Sequence, residues 1–171
     1  AGDDGGPAVS AGQYRNPVVA GFYPDPSAIR VGDDFYLVTS TFGYFPGLPV
    51  FHSTDLVSWT QVGNAIHRPG QINYGEKEEL TRGLFAATLA HHDGTFYIAN
   101  TCFYCDRGNF VVTAKDPAGP WSDPIWLDVT GIDPSLFFDV DGSAGVVPND
   151  VPEPRPGPGD VRQNQIPFTH I

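Results

Sequence analysis

Basic residues are scarce in this chain, and their scarcity excludes whole classes of partner. Nine Lys and Arg residues stand against 20 Asp and Glu residues, which gives a formal net charge of −11 at pH 7. Such a surface repels nucleic-acid phosphates and anionic lipids, so we expect no nucleic acid and no membrane as partners. No apolar run in the sequence approaches the ~18 residues that a transmembrane helix needs. A neutral partner, such as a sugar, is compatible with this charge.

Methionine is absent, and cysteine occurs only twice. Because Ala1 is not an initiator methionine, we expect a processed or excised product, with a signal peptide before it and an extracellular, secreted location. Cys102 and Cys105 form one Cys-x-x-Cys motif. A tetrahedral zinc site needs about four ligands, and no second Cys or His pair has suitable spacing. We therefore interpret the motif as two unrelated thiols or a local disulfide, and we expect no metal and no cofactor.

Helical periodicity is almost absent, whereas turn-forming residues are abundant. The chain contains 20 Gly and 17 Pro residues, scattered between short strand-like stretches from residue 14 to residue 150. Many short strands joined by tight turns predict an all-β fold. Residues 1–13 are small and polar and are predicted to form a disordered leader. Residues 151–171 begin with alternating prolines, which lack donors for a sheet, so we predict an extended, mobile tail.

A short pattern recurs along the chain and indicates how the strands are organised. Its copies begin at Asp25, Ala86 and Asp133, and each combines an apolar strand, a Gly or Asp turn and a second strand. Another pattern, a turn opened by Asp and closed by Trp, occurs at Asp55–Trp59 and Asp116–Trp121. Four short strands per unit, with units about 50–60 residues apart, are typical of β-propeller blades. The sequence therefore predicts two blades and the start of a third.

Motifs spread over residues 14–150 resemble glycoside hydrolase family 43, in the order and at the spacing of that family. They are Asn16-Pro17-Val18, Gly21–Ser27, Val31–Phe42, Phe45–Ser53, Asp55–Trp59, His92–Tyr97, Gly119–Pro124 and Gly131–Phe137. The resemblance implies a five-bladed β-propeller enzyme that cleaves xylosyl or arabinosyl linkages with inversion. In these terms the chain is an incomplete propeller of about two blades plus part of a third.

The chain also departs from the family pattern. Phe85-Ala86-Ala87 stands where the family commonly has Trp-Ala-Pro, and Gly145 lies near a position that is usually aromatic. The family's general-acid glutamate lies further along than these 171 residues extend. Four glutamates of the chain are interpreted as solvated surface residues, not as its replacement: Glu76, Glu78, Glu79 and Glu153. We therefore expect this chain by itself to be inactive or nearly so.

The resemblance makes Asp25 the general base and Asp133 the carboxylate that orients the general acid and raises its pKa. Inverting hydrolysis needs a base that activates water and an acid that protonates the leaving oxygen, about 6.5–9.5 Å apart. The internal repeat supports the pair independently, because it places both aspartates at equivalent positions of innermost strands. The alternative is a structural turn, since the Asp of an Asp-Pro-Ser sequence readily accepts a bond from the amide two residues on.

Sugar rings stack on aromatic side chains, so aromatic residues near the aspartates are candidate substrate contacts. The resemblance places Phe42 and Phe85 in the walls of the sugar pocket, and Tyr23 adjoins the base motif. The alternative for Phe42 and Phe85 is ordinary blade core. The tryptophans are interpreted as packing between blades: Trp59, Trp121 and Trp126. His91 and His92 are expected on opposite faces of a strand and form no metal site, although in some family members later blades hold a channel ion such as calcium.

The sequence thus predicts a β-xylosidase-like glycoside hydrolase that acts on xylosyl or arabinosyl linkages of hemicellulose. Its partner would be a xylo-oligosaccharide or an arabinosyl substrate. An alternative is a non-catalytic or degenerate carbohydrate-binding propeller, which the missing glutamate and the Phe85-Ala86-Ala87 departure favour. A structural repeat domain for protein partners is a further alternative, yet a scaffold does not require two carboxylates at axial positions.

Overall fold

The described part of the chain is built entirely of β-strands. A computed structural model describes residues 12–74, 79–105, 107–150 and 168–170. No helix occurs among these residues, which confirms the all-β prediction, and hence no helix of theirs has the length and apolarity to cross a membrane. The strands are β1 (Ser27–Val31), β2 (Asp34–Val38), β3 (Gly47–Ser53), β4 (Thr60–Ile66), β5 (Gly83–His92), β6 (Thr95–Phe103), β7 (Asn109–Ala114), β8 (Ile125–Trp126), β9 (Ile132–Phe138), β10 (Ala144–Asn149) and β11 (Thr169–His170).

Consecutive strands pair antiparallel in three sheets. The first sheet has the order β1-β2-β3-β4, the second β5-β6-β7-β8, and the third β9-β10-β11. The turn between β5 and β6 is made by Asp93 (φ 46°) and Gly94 (φ 67°). Positive φ at both central residues matches the right-handed twist of the flanking strands. Each sheet is a meander of the kind that forms a propeller blade, in the segments where the internal repeat predicts one.

The second sheet is packed on both of its faces. Because successive side chains of a strand point to opposite faces, β6 contributes to two cores. Phe96 and Ile98 join the buried cluster shared with the first sheet, whereas Ala99 joins Leu136 and Val146 of the third sheet. Burial of each large apolar side chain stabilises the fold by about 1.5–3 kcal/mol. The three sheets therefore pack against one another in chain order.

The first strands of the three sheets lie side by side, with β5 in contact with both β1 and β9. The amide of Leu89 donates to Ser27 Oγ at 3.1 Å, and Thr88 Oγ1 donates to the carbonyl of Pro134 at 2.8 Å. Ser27 and Thr88 occupy the same position in their copies of the repeat. Hydroxyl groups at this position therefore tie β1 to β5 and β5 to β9.

The second repeat is a pair of matching turns. Oδ1 of Asp55 accepts bonds from the amides two and three residues further on, at 2.8 and 2.6 Å, and Oδ1 of Asp116 accepts from the amide two residues on, at 2.8 Å. In each turn the indole N–H donates to the carbonyl of the residue after the aspartate, at 3.0 Å from Trp59 and 3.3 Å from Trp121. Trp121 is also buried in the core between the first two sheets. Trp121 and Trp126 therefore pack in this core, as predicted, whereas Trp59 belongs to neither described core cluster and shapes its turn.

Both terminal predictions fall largely outside the described residues. Of the leader predicted over residues 1–13 only the last two residues are described, and of the tail predicted over residues 151–171 only residues 168–170 are. Within that short segment β11 pairs with β10 and adds a third strand to the third sheet, which the sequence did not predict. The sequence from Phe168 onwards contains no proline, so its amides can pair with the edge of β10.

Gly145 of β10 accounts for one departure from the family pattern. A Cβ atom at this position would collide with the Phe137 ring and would lie 2.9 Å from the Phe168 ring. These two rings lie 5.3 Å apart between centroids. A side chain at position 145 would therefore have to displace the Phe137 ring first and then the Phe168 ring, which immediately precedes β11.

Candidate active site

Asp25 and Asp133 adopt the same unusual backbone conformation. Each has a φ of 54°, in the left-handed region, and each is followed by proline. Asp tolerates this region better than most residues, but a following proline restricts the backbone further. Such strained conformations persist only where the surrounding structure holds them, and they cluster at functional sites. The shared angle indicates that the two aspartates are held in equivalent, specified orientations at the beginnings of β1 and β9.

The two carboxyl groups lie within each other's electrostatic field. Burial raises the pKa of Asp133, and the negative charge of Asp25 raises it further. Both residues keep solvent-exposed surface. Desolvation and a like charge both disfavour the ionised form of a carboxyl group. The two aspartates that the sequence singled out therefore interact electrostatically, and both are exposed to solvent.

Asp25 is held by a buried serine that follows β2. Ser40 Oγ donates a hydrogen bond to Asp25 Oδ2 at 2.7 Å, and the Ser40 amide donates to the carbonyl of Pro24 at 3.1 Å. Ser40 is completely buried. Its two bonds therefore attach both the backbone before Asp25 and the carboxylate itself to the first sheet.

A bulge in β5 lies at the position that corresponds to the aspartates. The register of β5 against β6 shifts between Leu84 and Ala87. Asn100 Nδ2 reaches across to this irregular segment and donates to the carbonyls of Phe85 at 2.6 Å and Ala86 at 3.2 Å. Bulges often redirect side chains near active sites. Here the bulge carries Phe85, one of the predicted substrate contacts.

The approach of the chain to Asp133 is held by another buried asparagine. Asn109 Nδ2 donates to the carbonyls of Val129 at 2.9 Å and Gly131 at 3.0 Å. Its Oδ1 accepts a bond from Thr101 Oγ1 at 2.6 Å. Gly131 has a φ of 89°, and a Cβ atom there would lie 2.7 Å from the carbonyl oxygen of Asn149. The second sheet therefore determines the path by which β9 begins.

Four aromatic rings form a row, defined here as Phe22, Phe42, Phe85 and Phe103. The Phe42 and Phe85 rings meet edge to face, with centroids 5.7 Å apart. Phe85 stacks on Phe103 at 4.9 Å and 8°, and Phe22 lies 6.0 Å from Phe42. Phe42 and Phe85 are half-buried, so part of each ring remains available for contact. The sequence predicted Phe42 and Phe85 but missed Phe22 and Phe103. The repeat contained a signal for Phe103, which occupies the position of Phe42 in the next blade.

Tyr23 has a different environment from the row. Its ring packs edge to face on Phe51, with centroids 5.2 Å apart and an interplanar angle of 88°. Phe51 is buried in β3, so Tyr23 is directed towards the first sheet, and Phe22 joins Phe42 instead. Neighbouring side chains point in opposite directions along extended backbone, and the sequence alone did not show which of the two faced the site. A substrate-binding role for Tyr23 stays a prediction.

One end of the aromatic row carries a cation. The Arg82 guanidinium lies 4.9 Å from the ring centroids of both Phe103 and Tyr104, and its Nε lies 3.4 Å from Glu79 Oε2. Glu79 is exposed and paired in this way, as expected of a surface glutamate, while the other three glutamates considered above lie outside the described residues.

A cavity of about 370 Å³ between the first two sheets adjoins this end of the row. Burial raises the pKa of Tyr74, which lines the cavity, to about 12.

Cys102 and Cys105 form a local disulfide, which was one of the two interpretations of the motif. No group of three or more His, Cys, Asp or Glu side chains among the described residues is arranged to hold a metal ion. His91 packs against the ring of Phe96 at 4.7 Å, and His92 stacks on Phe138 of the third sheet at 4.4 Å. The two histidines lie on opposite faces of β5, as predicted.

Interacting carboxyl groups and partly exposed aromatic rings are features that glycoside hydrolases use to cleave and bind sugars. Comparison with known proteins agrees with this class and identifies the family. The model of the family described as "Glycosyl hydrolases family 43" matches residues 14–156. The chain belongs to glycosyl hydrolase family 43.

Similar proteins have related names. A "Xylosidase/arabinosidase" of Butyrivibrio fibrisolvens is 50% identical over 153 residues, which are 88% of this chain and 28% of that protein. A non-reducing end alpha-L-arabinofuranosidase of Bacteroides ovatus is 54% identical over 131 residues, or 75% of this chain and 25% of that protein. The crystal structure of xylan beta-1,4-xylosidase from Bacillus halodurans C-125 superposes with a TM-score of 0.82 at 40% identity, covering 92% of this chain and 31% of that chain. The chain thus spans 25–28% of the length of these two curated relatives.

Proposed function

We propose that this chain supplies the base side of an inverting glycoside hydrolase that cleaves xylosyl or arabinosyl linkages of hemicellulose. In this proposal its sheets are the first two blades and part of the third in a five-bladed propeller. One observation carries the proposal: Asp25 and Asp133 share a φ of 54° on matching strands, and the charge of one raises the pKa of the other. A structural turn does not require two such carboxyl groups that interact with each other.

The proposed reaction assigns Asp25 the role of general base. The ionised carboxylate takes a proton from a water molecule as the water oxygen bonds to the anomeric carbon. The bond from that carbon to the leaving oxygen breaks on the opposite face, and a carboxylic acid protonates the leaving oxygen. Base and acid stand about 6.5–9.5 Å apart so that water fits between them, and the configuration inverts.

Asp133 has the role of the carboxyl group that orients the general acid and raises its pKa. Its surroundings already disfavour ionisation, because burial and then Asp25 raise the pKa of Asp133. A carboxylate in this place would likewise disfavour ionisation of a neighbouring acid and so keep that acid protonated. The resemblance places the general-acid glutamate in a part of the family domain beyond these 171 residues. We therefore expect the 171-residue chain by itself to release no product above background.

The aromatic row supports a sugar as the ligand. Phe42 and Phe85 lie next to each other and keep partly exposed ring surface, which suits the apolar face of a pyranose or furanose ring. The net charge of −11 is compatible with a neutral oligosaccharide. The names of the relatives, xylosidase and arabinofuranosidase, favour a pentosyl group among the sugars.

The complete gene product that carries these residues tests the proposal. Purified enzyme is assayed on p-nitrophenyl β-D-xylopyranoside and p-nitrophenyl α-L-arabinofuranoside, and the configuration of the first product is followed by proton NMR. We expect turnover with inversion, and loss of turnover in Asp25→Ala. Asp55→Ala, which removes a turn aspartate outside the site, is the matched control and retains turnover. A retained product configuration, or normal rates in Asp25→Ala, would contradict the proposal.

A second candidate function is carbohydrate binding without catalysis. It is favoured by Phe85-Ala86-Ala87, the departure from the family pattern at the bulge, because the aromatic row would bind a sugar ring whether or not hydrolysis follows. Calorimetric titration of the complete gene product with xylobiose distinguishes the two functions. Binding without turnover supports the second, whereas release of xylose supports the first.

We also propose that the protein acts outside the cell. The disulfide between Cys102 and Cys105 favours this location, since structural disulfides persist mainly in oxidising compartments. Fractionation of the producing cells checks it: the protein is expected in the medium or periplasm, and recovery from the cytoplasm alone contradicts the proposal.

A further inference from the structure

We propose that Ser40 is a positioning residue, which holds the ionised carboxylate of Asp25 through a hydrogen bond from its hydroxyl group. The inference rests on the proposed function, because it needs Asp25 to act as the base. Ser40 Oγ lies 2.7 Å from Asp25 Oδ2, and no part of Ser40 is exposed to solvent (0%). A hydrogen bond from a buried hydroxyl to a charged acceptor is stronger and more directional than one at the surface.

The bond is fixed at both ends. The amide of Ser40 donates to the carbonyl of Pro24 at 3.1 Å, so the donor and the residue before Asp25 cannot move independently. Ser40 Oγ also lies 3.4 Å from that same carbonyl oxygen. A hydroxyl group has a single hydrogen to donate, and the shorter, charged acceptor takes it. With Oδ2 of Asp25 held in this way, we assign the proton of the attacking water to Oδ1.

The bond acts against the charge of the neighbouring sheet. From β9 the group facing Asp25 is the carboxyl of Asp133, whose interaction with Asp25 is repulsive when both are ionised. From β5 the corresponding segment, 85–88, carries only neutral side chains, and so does the segment 39–41 that follows β2. Ser40 thus gives the Asp25 carboxylate a side-chain donor opposite this repulsion.

The repeat suggests variants that separate the effect of the Ser40 hydroxyl group from the effect of side-chain shape. Thr101 occupies the position of Ser40 in the second sheet, is buried, and donates its hydroxyl hydrogen to Asn109 Oδ1 at 2.6 Å. The second sheet therefore accommodates a threonine at the position that corresponds to Ser40. Ser40→Thr keeps the hydroxyl, whereas Ser40→Val has the same shape without it. A purely structural role for Ser40 would make these two variants alike.

The experiment measures kcat/KM of the complete gene product between about pH 4 and pH 9, with the p-nitrophenyl glycoside that the wild-type enzyme hydrolyses fastest. In Ser40→Ala and Ser40→Val we expect the acidic limb to move up by about 1 pH unit, so that the loss of kcat/KM grows as the pH falls and approaches about tenfold below the wild-type limb. Ser40→Thr keeps the wild-type limb. Ser53→Ala is the control, because Ser53 is a buried serine of the same sheet that bonds the Asp55 turn. It lowers the unfolding midpoint without moving the limb.

The inference would be overturned if folded Ser40→Ala or Ser40→Val enzyme kept the acidic limb of the wild-type pH profile. It would also be overturned if Ser40→Thr displaced that limb as far as Ser40→Val does. If Ser40→Ala does not fold, the Thr and Val variants decide, since they differ only in the hydroxyl. Asp25→Asn is measured alongside. Wild-type rates in Asp25→Asn would overturn the proposed function itself. If Asp25→Asn loses turnover but the pH profiles of the Ser40 variants match the wild type, only the Ser40 inference is overturned.

Discussion

Asp25 and Asp133 occupy the same position of the repeat and share the same φ of 54°, yet the two sheets treat them differently. In the first sheet Asp25 accepts a hydrogen bond from Ser40 at 2.7 Å. In the third sheet burial, followed by the charge of Asp25, raises the pKa of Asp133. One backbone conformation therefore carries two carboxyl groups with different surroundings. The repeat determines where the groups lie, and the neighbours in each sheet determine what each group does.

Replacing each aspartate in turn gives the largest effect and separates the two roles. In the complete gene product Asp25→Asn is expected to lower kcat by about 10³–10⁴-fold, because an amide accepts no proton from water. Asp133→Asn should lower kcat less. It should also move the alkaline limb of the pH profile down, since the general acid loses a neighbouring negative charge. Initial rates across the pH range check both variants. Equal losses of kcat in the two variants, with no movement of the alkaline limb, would contradict the separate roles of Asp25 and Asp133.

Asn109 of the second sheet supports the segment that leads to Asp133, and substitution of Asn109 tests this support. Asn109→Ala leaves the carbonyls of Val129 and Gly131 without their donor, and each buried group left unpaired costs about 1–3 kcal/mol. The urea unfolding midpoint of the 171-residue chain measures the loss. Asn64→Ala is the control, since Asn64 bonds Gln61 near the surface, and it should change the free energy of unfolding by less than about 0.5 kcal/mol. Equal midpoints for the two variants would contradict the assigned role of Asn109.

The raised pKa of Asp133 implies a cost to stability that depends on pH. A carboxyl group whose pKa is higher in the folded than in the unfolded state stabilises the fold below its unfolded value, about 3.9, and that stability is lost as the pH rises through the folded value. Asp133→Asn should therefore stabilise the chain at pH 7 and not at pH 3. Because the residue keeps exposed surface, the gain is at most about 1 kcal/mol. Thermal unfolding at the two pH values checks it, and a loss of stability at pH 7 would contradict it.

Asp55 gives the smallest expected effect and a reference outside the site. Bonds from the amides of Ser58 and Val57 lower the pKa of Asp55, the opposite direction from Asp133. Its contribution to stability is therefore present above the unfolded value and is lost as the pH falls through the folded value. Asp55→Asn should lower the thermal midpoint slightly at pH 7, and the difference should shrink in acid. A difference that grows on acidification would show that the turn does not depend on the charge.

The sequence predicted the strands, the hairpins and the pair of aspartates because all of these are local or periodic. Asp93-Gly94 shows the local kind: an Asp-Gly pair between alternating strands is sufficient to indicate a hairpin. Asp25 and Asp133 show the periodic kind, since equivalent positions of a repeat meet at equivalent places. Phe103 belonged to the same pattern and could have been found by extending the comparison from Phe42.

Other parts of the site depend on contacts between segments far apart in sequence. Whether Phe22 or Tyr23 joins Phe42 is decided by the buried ring of Phe51, and no pattern within residues 21–27 reports it. Asn109 is an ordinary polar residue at the start of a strand until the carbonyls before β9 are placed beside it. The pairing of β11 with β10 likewise joins residues more than twenty positions apart.

By itself the sequence determined the all-β architecture, the blade repeat and the positions of the two aspartates, because short-range backbone preferences and side-chain alternation act within a few residues. Only the tertiary structure decided that Ser40 bonds Asp25, that Asn109 bonds the segment before Asp133, and which aromatic rings contact one another. Those choices depend on which sheet faces which, and desolvation and charge act through space, not along the chain.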